Sequence, residues 1–381
     1  MEPNRIRRSN VWSVLRYIIL FAAVGAGVLA VILFGFPLIE DLVKGVDPTL
    51  RYQPKVEADF NLQDEQLQQS TAVPEEMYLR DYAGFKVRLK NEPYIDGNSI
   101  IFTTQSGQAT AGELDKVMIY NTETEEVKEL AGTQKKYDRF LSPMLSGNIA
   151  VWIDALDTGG GRVVGYNMET GEQFLIKEYA YAQPQLSLSG EFLAFMQWAG
   201  DTTQRLYVYN IKTREASTVK LYETNIGNSA VSISANDMVW AEYGDDGTGT
   251  LKRIAFGADG TSKYENYDFG TAVYNPKTNG KDIVFATSKD IINGSLMLSV
   301  GGGTPVKIAE NVLNYGIGSN FVVYTKDQKI NVCYTDAQRT QVLTADISKN
   351  MLGSVNNNAV CYYDVTDNQV ADEVVWYVYL D

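Results

Sequence analysis

The chain has 381 residues, 45% of them apolar, and carries 33 basic and 47 acidic side chains but no histidine. The absence of histidine excludes Ser-His-Asp hydrolysis and histidine-based metal sites. The net charge of −14 disfavours nucleic acid as a partner. No phosphate-binding or calcium-binding loop is recognisable, so we predict a protein that is not an enzyme and has no cofactor and no metal site. Only carboxylate-pair chemistry of the glycosidase type remains open.

Residues 17–38 form an uncharged, apolar run of 22 residues. As a helix the run would be about 33 Å long at roughly 1.5 Å per residue, enough to cross a bilayer. Four arginines lie before it, in residues 1–16, so the positive-inside rule predicts a cytoplasmic N-terminus and an extracytoplasmic C-terminal body. A cleaved signal peptide is the alternative, but its apolar region would normally be about 7–15 residues long. We therefore predict an uncleaved, single-pass anchor in the lipid bilayer of the cell membrane.

Residues 39–74 are rich in Gln, Glu and Asp and have no sustained apolar period. This composition predicts an extracytoplasmic stalk, which as a flexible coil would span roughly 30–35 Å. The residues that follow, 75–381, are predicted to form one folded domain.

Seven apolar segments, each about six residues long, recur through this domain. The steps between them are 50, 43, 46, 45, 38 and 38 residues. The segments are NSIIFTT (98–104), NIAVWID (148–154), EFLAFMQ (191–197), DMVWAEY (237–243), DIVFATS (282–288), NFVVYTK (320–326) and NAVCYYD (358–364). Repeats of this length that hold several short strands are typical of a β-propeller. We predict an all-β, seven-bladed β-propeller preceded by one transmembrane α-helix, with six or eight blades as alternatives.

The second and third repeats each show the four strands that a propeller blade needs. The third strand ends in Tyr-Asn in the first three blades, at Asn121, Asn167 and Asn210. An Asn side chain at the start of a turn accepts backbone N–H groups, and a Gly or tolerant polar residue then adopts the left-handed backbone angle. We therefore predict the same tight turn in all three blades.

These repeats resemble the TolB-like propellers, a group that includes the N-terminal propellers of dipeptidyl-peptidase-type enzymes. That family has a Ser-Pro-Asp-Gly turn before the second strand of each blade. Here the turn survives in altered form as Leu141-Ser142-Pro143, as Leu186 to Gly190 and as Asn275 to Gly280, without the aspartate. The resemblance covers roughly residues 85–381 and implies a binding or scaffolding role.

The last repeat is one strand short, because it has only MLGSV, NAVCYYD and EVVWYVYLD before the C-terminus. We expect GFKVRLK (84–90) to supply the missing outer strand and so to close the ring. Cys333 and Cys361 fall on strands of neighbouring blades. Buried free thiols are the commoner outcome for strand cysteines, and a disulfide is the alternative.

Acidic and aromatic side chains recur in the loops between second and third strands and in the links between blades, which share one face of a propeller. The candidate binding residues are Asp154, Asp157, Tyr179, Tyr181, Trp198, Asp201, Tyr222, Asp245, Asp246, Tyr267, Asp290 and Tyr315. Aromatic rings stack on sugars or hold peptide side chains, and carboxylates attract cations and basic residues. The alternative is ordinary turn and core chemistry, because Asp favours turns and Tyr is common throughout this chain.

These features predict a membrane-anchored, extracytoplasmic propeller that acts as a protein-binding or assembly scaffold in the cell envelope, with another envelope protein as its partner. The alternative is an envelope protein that binds or cleaves glycans with the Tyr/Asp face.

Overall fold

The computed structural model describes residues 51–52, 68–69, 72, 74–78, 92–104, 114–132, 138–156, 159–235, 237–256, 262–336, 339–344, 349–364 and 374–380. The predicted transmembrane segment, 17–38, lies outside them. Among the residues that are described, no helix combines the length and the hydrophobicity needed to cross a bilayer.

Three short strands precede the repeats. They are β1 (Arg51–Tyr52), β2 (Gln68–Gln69) and β3 (Glu75–Tyr78). All three join the outer edges of blades formed by later parts of the chain.

The first three blades are four-stranded antiparallel sheets whose strands follow the chain order from the centre outwards. They consist of β4 (Tyr94–Asp96), β5 (Ser99–Thr104), β6 (Lys116–Asn121) and β7 (Val127–Gly132); of β8 (Asp138–Ser146), β9 (Ile149–Leu156), β10 (Gly161–Asn167) and β11 (Glu172–Tyr179); and of β12 (Gln185–Ser189), β13 (Phe192–Trp198), β14 (Thr203–Asn210) and β15 (Glu215–Glu223).

Blades four to seven follow the same plan. They consist of β16 (Ser232–Ser234), β17 (Asp237–Tyr243), β18 (Gly249–Phe256) and β19 (Ser262–Tyr267); of β20 (Tyr274–Thr278), β21 (Ile283–Ala286), β22 (Ser295–Ser299) and β23 (Val306–Glu310); of β24 (Val312–Ile317), β25 (Phe321–Lys326), β26 (Lys329–Tyr334) and β27 (Arg339–Val342); and of β28 (Asn350–Asn356), β29 (Ala359–Asp364) and β30 (Val374–Tyr379). A single 3-10 turn, Ile291–Asn293, lies in the described part of blade five. The prediction of seven blades is confirmed.

The ring closes through β3, which pairs antiparallel with β30 and forms the outer strand of blade seven. A segment before the first blade therefore closes the ring, as predicted. The segment differs from the predicted one, because Glu75–Tyr78 occupies the place expected for residues 84–90, which lie outside the described residues. Strand alternation is visible in residues 84–90 but not in Glu75–Tyr78 (EEMY), so the local pattern does not identify the closing strand.

The predicted stalk, residues 39–74, contributes two strands to the rim of the propeller. Strand β1 pairs parallel with β19 of blade four, and β2 pairs parallel with β27 of blade six. Each covers an outer edge whose backbone groups would otherwise be open. At these two places the segment lies against the propeller.

The core consists of layers between neighbouring blades. Among the described residues, seven clusters of buried apolar side chains form, one at each junction. Trp152 lies in the cluster between blades one and two, and Trp240 lies between blades three and four. Because both faces of a sheet are covered, the second strands have consecutive apolar residues and do not alternate, which explains the seven segments visible in the sequence.

Hydrogen bonds from the inner strands and the turns that follow them also connect every pair of neighbouring blades. The seven contacts are Gly147 N to Asp96 Oδ2 (2.6 Å), Gly190 N to Ser146 Oγ (2.9 Å), Ile233 N to Ser187 Oγ (3.0 Å), Thr278 N to Ser232 Oγ (3.2 Å), Asn279 Nδ2 to Gly318 O (2.8 Å), Asn314 Nδ2 to Leu352 O (2.8 Å) and Ile95 N to Ser354 Oγ (2.8 Å). Five of these donors are backbone amides, which must find acceptors when they are buried. The contacts hold the inner strands around a central channel.

Candidate functional site: the link face and the central channel

One face of the propeller carries the loops between second and third strands together with the links between blades. We call it the link face. Its described parts include loops 199–202, 244–248 and 287–294 and links 180–184, 224–231 and 268–273. The opposite face carries the tight turns between first and second and between third and fourth strands, and we call it the turn face.

Four of the predicted aromatic residues are buried between blades. Tyr179, Tyr222 and Tyr267 end or nearly end outer strands, and Tyr315 lies inside the inner strand β24 and not in a link. The fractional exposures of their side chains are 7%, 9%, 2% and 4%. Three of their hydroxyls donate hydrogen bonds within the protein: Tyr222 to Glu242 Oε1 at 2.8 Å, Tyr267 to Glu265 Oε2 at 3.1 Å and Tyr315 to the carbonyl oxygen of Asn275 at 2.5 Å. These rings contribute to packing between blades and expose little surface to a ligand.

Asp154 is also buried, at 4% exposure. Its Oδ2 accepts hydrogen bonds from Arg162 Nε at 2.8 Å and from Arg162 Nη2 at 2.5 Å. The carboxylate therefore has a structural partner on the neighbouring strand. Asp157 lies outside the described residues.

The other six predicted residues are accessible on the link face. Tyr181 is 50% exposed, and Trp198 is half-buried. The carboxylates of Asp201, Asp245, Asp246 and Asp290 are exposed. Asp246 accepts from Thr248 N at 2.9 Å and Asp290 accepts from Ile292 N at 3.3 Å, so both also stabilise their own loops. Hydrogen bonds from Thr248 hold the pKa of Asp246 below its ordinary value.

The structure adds apolar residues that the sequence analysis missed on this face. Leu156, Ile226, Ile292 and Leu313 have exposures of 41%, 45%, 48% and 38%. Leu313 begins the inner strand of blade six, and the other three lie in or beside loops and links. Apolar residues such as Ile226 and Ile292 within polar loops were the signal available in the sequence, because no strand periodicity accounts for them. With Tyr181 and Trp198 they make a surface that is both apolar and acidic.

The link between blades three and four is held in place by polar contacts. Gln204 Oε1 accepts from Asn228 N at 2.8 Å, and Thr224 Oγ1 accepts from Gly227 N at 3.2 Å. Gly227 adopts φ = +72°. A Cβ atom at this glycine would lie 2.8 Å from the Trp198 ring, so only glycine allows the link to pack against the indole. Trp198 and Ile226 are thereby fixed in neighbouring elements.

A central channel of about 790 Å³ runs between the seven inner strands. Ser, Asn and Gln side chains dominate its polar wall, and its lining includes Ser142, Gln185, Asn275 and Asn356. Among the described residues, Glu92 and Lys277 are the only charged side chains in this lining. Burial raises the pKa of Glu92 and lowers that of Lys277.

The described residues contain no group of three or more Cys, Asp or Glu side chains arranged to hold a metal ion. Cys333 and Cys361 are free and buried, so the structure contains no disulfide between them. Burial raises the pKa of Cys333 to about 11 and that of Cys361 to about 12, which keeps both thiols protonated at neutral pH.

The fold and its two faces define the class of protein: a seven-bladed β-propeller with accessible loops and a polar channel. No protein-family model and no curated protein matches the chain. Among solved structures, the propeller domain of the Trilobed protease from Pyrococcus furiosus is similar, with a TM-score of 0.57 and 13% identity over 77% of this chain and 96% of that chain. That domain is described as having an open velcro topology, whereas β3 closes the ring here.

Two further structures show the range of the similarity. A prolyl endopeptidase matches with a TM-score of 0.57 and 13% identity over 78% of this chain, which spans 48% of that chain. TolB from Acinetobacter baumannii matches with a TM-score of 0.45 and 17% identity, over 65% of this chain and 64% of that chain. At these identities the likeness to the peptidase propellers concerns the fold.

Proposed function

We propose that this protein is a membrane-anchored scaffold that holds its propeller outside the cell and binds another envelope protein through the link face. The observation that carries the proposal is the exposure of apolar side chains among exposed carboxylates on that one face. Aromatic and apolar anchors inside a polar rim are characteristic of protein interfaces. The carboxylates favour a partner with basic residues.

The anchor and the orientation of this proposal rest on the sequence alone. The uncharged run 17–38 is long enough to span a bilayer, and the arginines before it favour a cytoplasmic N-terminus. Protease added to intact cells should therefore remove the propeller and leave the anchor in the membrane fraction. Full protection of the propeller would contradict this orientation.

The binding role can be tested with photo-reactive amino acids placed singly at Ile226 and Ile292 of the link face. Matched positions are Glu169 and Lys212, which are exposed in tight turns of the turn face. We expect one stoichiometric cross-linked partner from the link-face positions and none from the turn-face positions. In a second step, the variant Tyr181→Ser/Ile226→Ser should abolish the cross-link formed from position 292. Equal cross-linking from both faces would contradict the proposal.

Glycan binding is the competing function. Fewer aromatic rings are accessible for stacking on a sugar than the sequence suggested. Stacking on sugars needs accessible ring faces, and Tyr179, Tyr222, Tyr267 and Tyr315 are buried. Tyr181 and Trp198 remain. Binding on a glycan array that is lost in Tyr181→Ala/Trp198→Ala would favour this function over the protein scaffold.

A further inference from the structure

Two opposite charges lie in the wall of the central channel. Glu92 immediately precedes β4 of blade one, and Lys277 lies in β20 of blade five. Blades one and five are separated by three junctions in one direction and by four in the other, so they lie on opposite sides of a seven-bladed ring. The rest of the described lining is uncharged.

Among the described residues, neither of these two charged groups takes part in a salt bridge. Lys277 Nζ donates to the carbonyl oxygen of Tyr315 at 2.5 Å, and within the described residues it has no carboxylate partner. Glu92 has no hydrogen bond or ion pair among the same residues. Each nevertheless affects the pKa of the other, so the two lie within electrostatic range without contact.

Both side chains have solvent-accessible surface inside the channel. The surrounding protein nevertheless removes part of the water around their charged groups. Their side-chain surfaces are exposed, while burial raises the pKa of Glu92 and lowers that of Lys277. Partial removal of water disfavours the charged form of each group. A bound group of opposite charge would offset that cost on each side.

The channel wall also offers hydrogen bonds beside these charges. Ser187 Oγ and Ser232 Oγ each accept a backbone N–H from the next blade, which leaves their own hydroxyl protons free to donate elsewhere. Asn314 Oδ1 is buried and has no hydrogen-bond partner. Donors and an acceptor are therefore available to a polar ligand.

We infer that the central channel binds a small molecule that carries both a carboxylate and an ammonium group, a free amino acid or a short peptide. Its carboxylate pairs with Lys277 and its ammonium group with Glu92. A ligand with a single charge would pair with the side chain of opposite charge and would be repelled by the other side chain. The volume of about 790 Å³ is suited to such a ligand, since ligand sites occupy about 300–1,000 Å³. This inference does not depend on the link face.

The test uses the full-length chain in detergent and isothermal titration calorimetry. The ligands are a series of amino acids with increasing separation between their charges, from glycine to 6-aminohexanoate, and an alanine tripeptide with free or blocked ends. Butyrate and butylamine supply single charges. We expect binding that peaks at one charge separation and is at least about tenfold weaker for the single charges. The free and blocked peptides distinguish an amino acid from a peptide as the ligand.

Substitutions of the two charged residues test whether the ligand binds in the central channel. Lys277→Met and Glu92→Gln should each weaken binding of the best ligand about tenfold or more. Lys281→Met is the matched control, because Lys281 is exposed in the first turn of the same blade. The Lys281→Met variant should bind the best ligand with unchanged affinity. Glu92 precedes its strand, so Glu92→Gln remains informative even if the Lys277 variant fails to fold. No binding by any zwitterion, equal binding of butyrate, or unchanged affinity in Glu92→Gln would overturn the inference.

Discussion

At the scale of single residues, the tight turns between third and fourth strands repeat one hydrogen-bond pattern. Asn121, Asn167 and Asn210 each accept two backbone N–H groups with one side-chain oxygen. Arg214 in the third turn then adopts φ = +63°, as predicted for a tolerant polar residue. Local chemistry thus fixes where each blade reverses direction.

Asn210→Ala should therefore destabilise the protein. The substitution leaves the N–H groups of Lys212 and Thr213, bonded at 2.9 and 3.0 Å, without their side-chain acceptor. We expect a loss of about 1 kcal/mol in the free energy of unfolding, measured by urea denaturation. Lys212→Ala in the same turn is the control and should change stability by less than about 0.5 kcal/mol. Equal effects would show that the Asn contacts are not stabilising.

A second local device joins blades three and four. Glu242 Oε1 accepts from Lys220 Nζ and from the Tyr222 hydroxyl, both at 2.8 Å. Burial alone would raise the pKa of Glu242, but the hydrogen bonds and positive charge of these neighbours outweigh burial and hold the pKa below its ordinary value. The ionised carboxylate is therefore favoured in the folded protein.

Glu242→Gln should cost about 1–2 kcal/mol of stability at pH 7, because a charged hydrogen-bond acceptor is lost. A carboxyl whose pKa is lower in the folded state contributes stability above its unfolded pKa, and that contribution disappears as the pH falls through the folded pKa. The stabilities of the two proteins should thus differ at pH 7, and the difference should shrink as the pH falls below the ordinary glutamate pKa of about 4.3 and then disappear. A difference that stays constant with pH would contradict a role for the charge.

At the scale of elements, one four-residue strand completes blade seven and adds to the contacts between blades seven and one. Strand β3 is held to β30 by antiparallel pairing, and the Tyr377 hydroxyl also donates to Glu75 at 2.8 Å. Residues about 300 positions apart thus share one sheet. Such a contact closes a very long loop. Its loss would leave the core cluster and the Ile95–Ser354 hydrogen bond as the links between blades seven and one.

The double substitution Glu76→Pro/Met77→Pro should release β3 from blade seven and weaken the closure of the ring. Alternate amides of an edge strand donate to its neighbour, so two adjacent prolines remove at least one of these bonds. We expect a loss of about 3 kcal/mol or more in urea denaturation. Glu76→Ala/Met77→Ala keeps the backbone amides and should cost clearly less. Equal losses would assign the effect to side chains and not to strand pairing.

At the scale of the whole molecule, the closed ring distributes stability over all blades. Each core cluster lies between two neighbours, and the inner-strand hydrogen bonds connect every junction of the described structure. A blade that loses one neighbour therefore loses half of its buried contacts. The blades next to the closure are expected to be affected first.

Hydrogen exchange should show this gradient in the proline variant. Amides of β30 in blade seven and of β5 in blade one should exchange faster than in the native protein, because they lie on either side of the weakened junction. Amides of β17 in blade four, at the far side of the ring, should change least. Uniform acceleration in all blades would mean that the ring opens only by global unfolding.

Local sequence patterns were sufficient to predict the repeat, the seven blades, the four strands of a blade and the Asn turns. Each of these depends on neighbours within a few residues: an apolar run with both faces covered, or a side chain that bonds its own turn. The same local signals placed acids such as Asp245 and Asp290 in exposed loops.

Tertiary contacts determine which segment closes the ring, which tyrosines are exposed and which charged side chains line the same channel. Residues 84–90 alternate as a strand does and residues 75–78 do not, yet residues 75–78 pair with β30, so long-range pairing overrode the local pattern. Tyr181 and Tyr267 look alike in the sequence, but one lies in an open link and the other between two blades. Glu92 and Lys277 share a channel although 185 positions separate them. Burial and pairing depend on residues far away in the chain, and no local pattern contains that information.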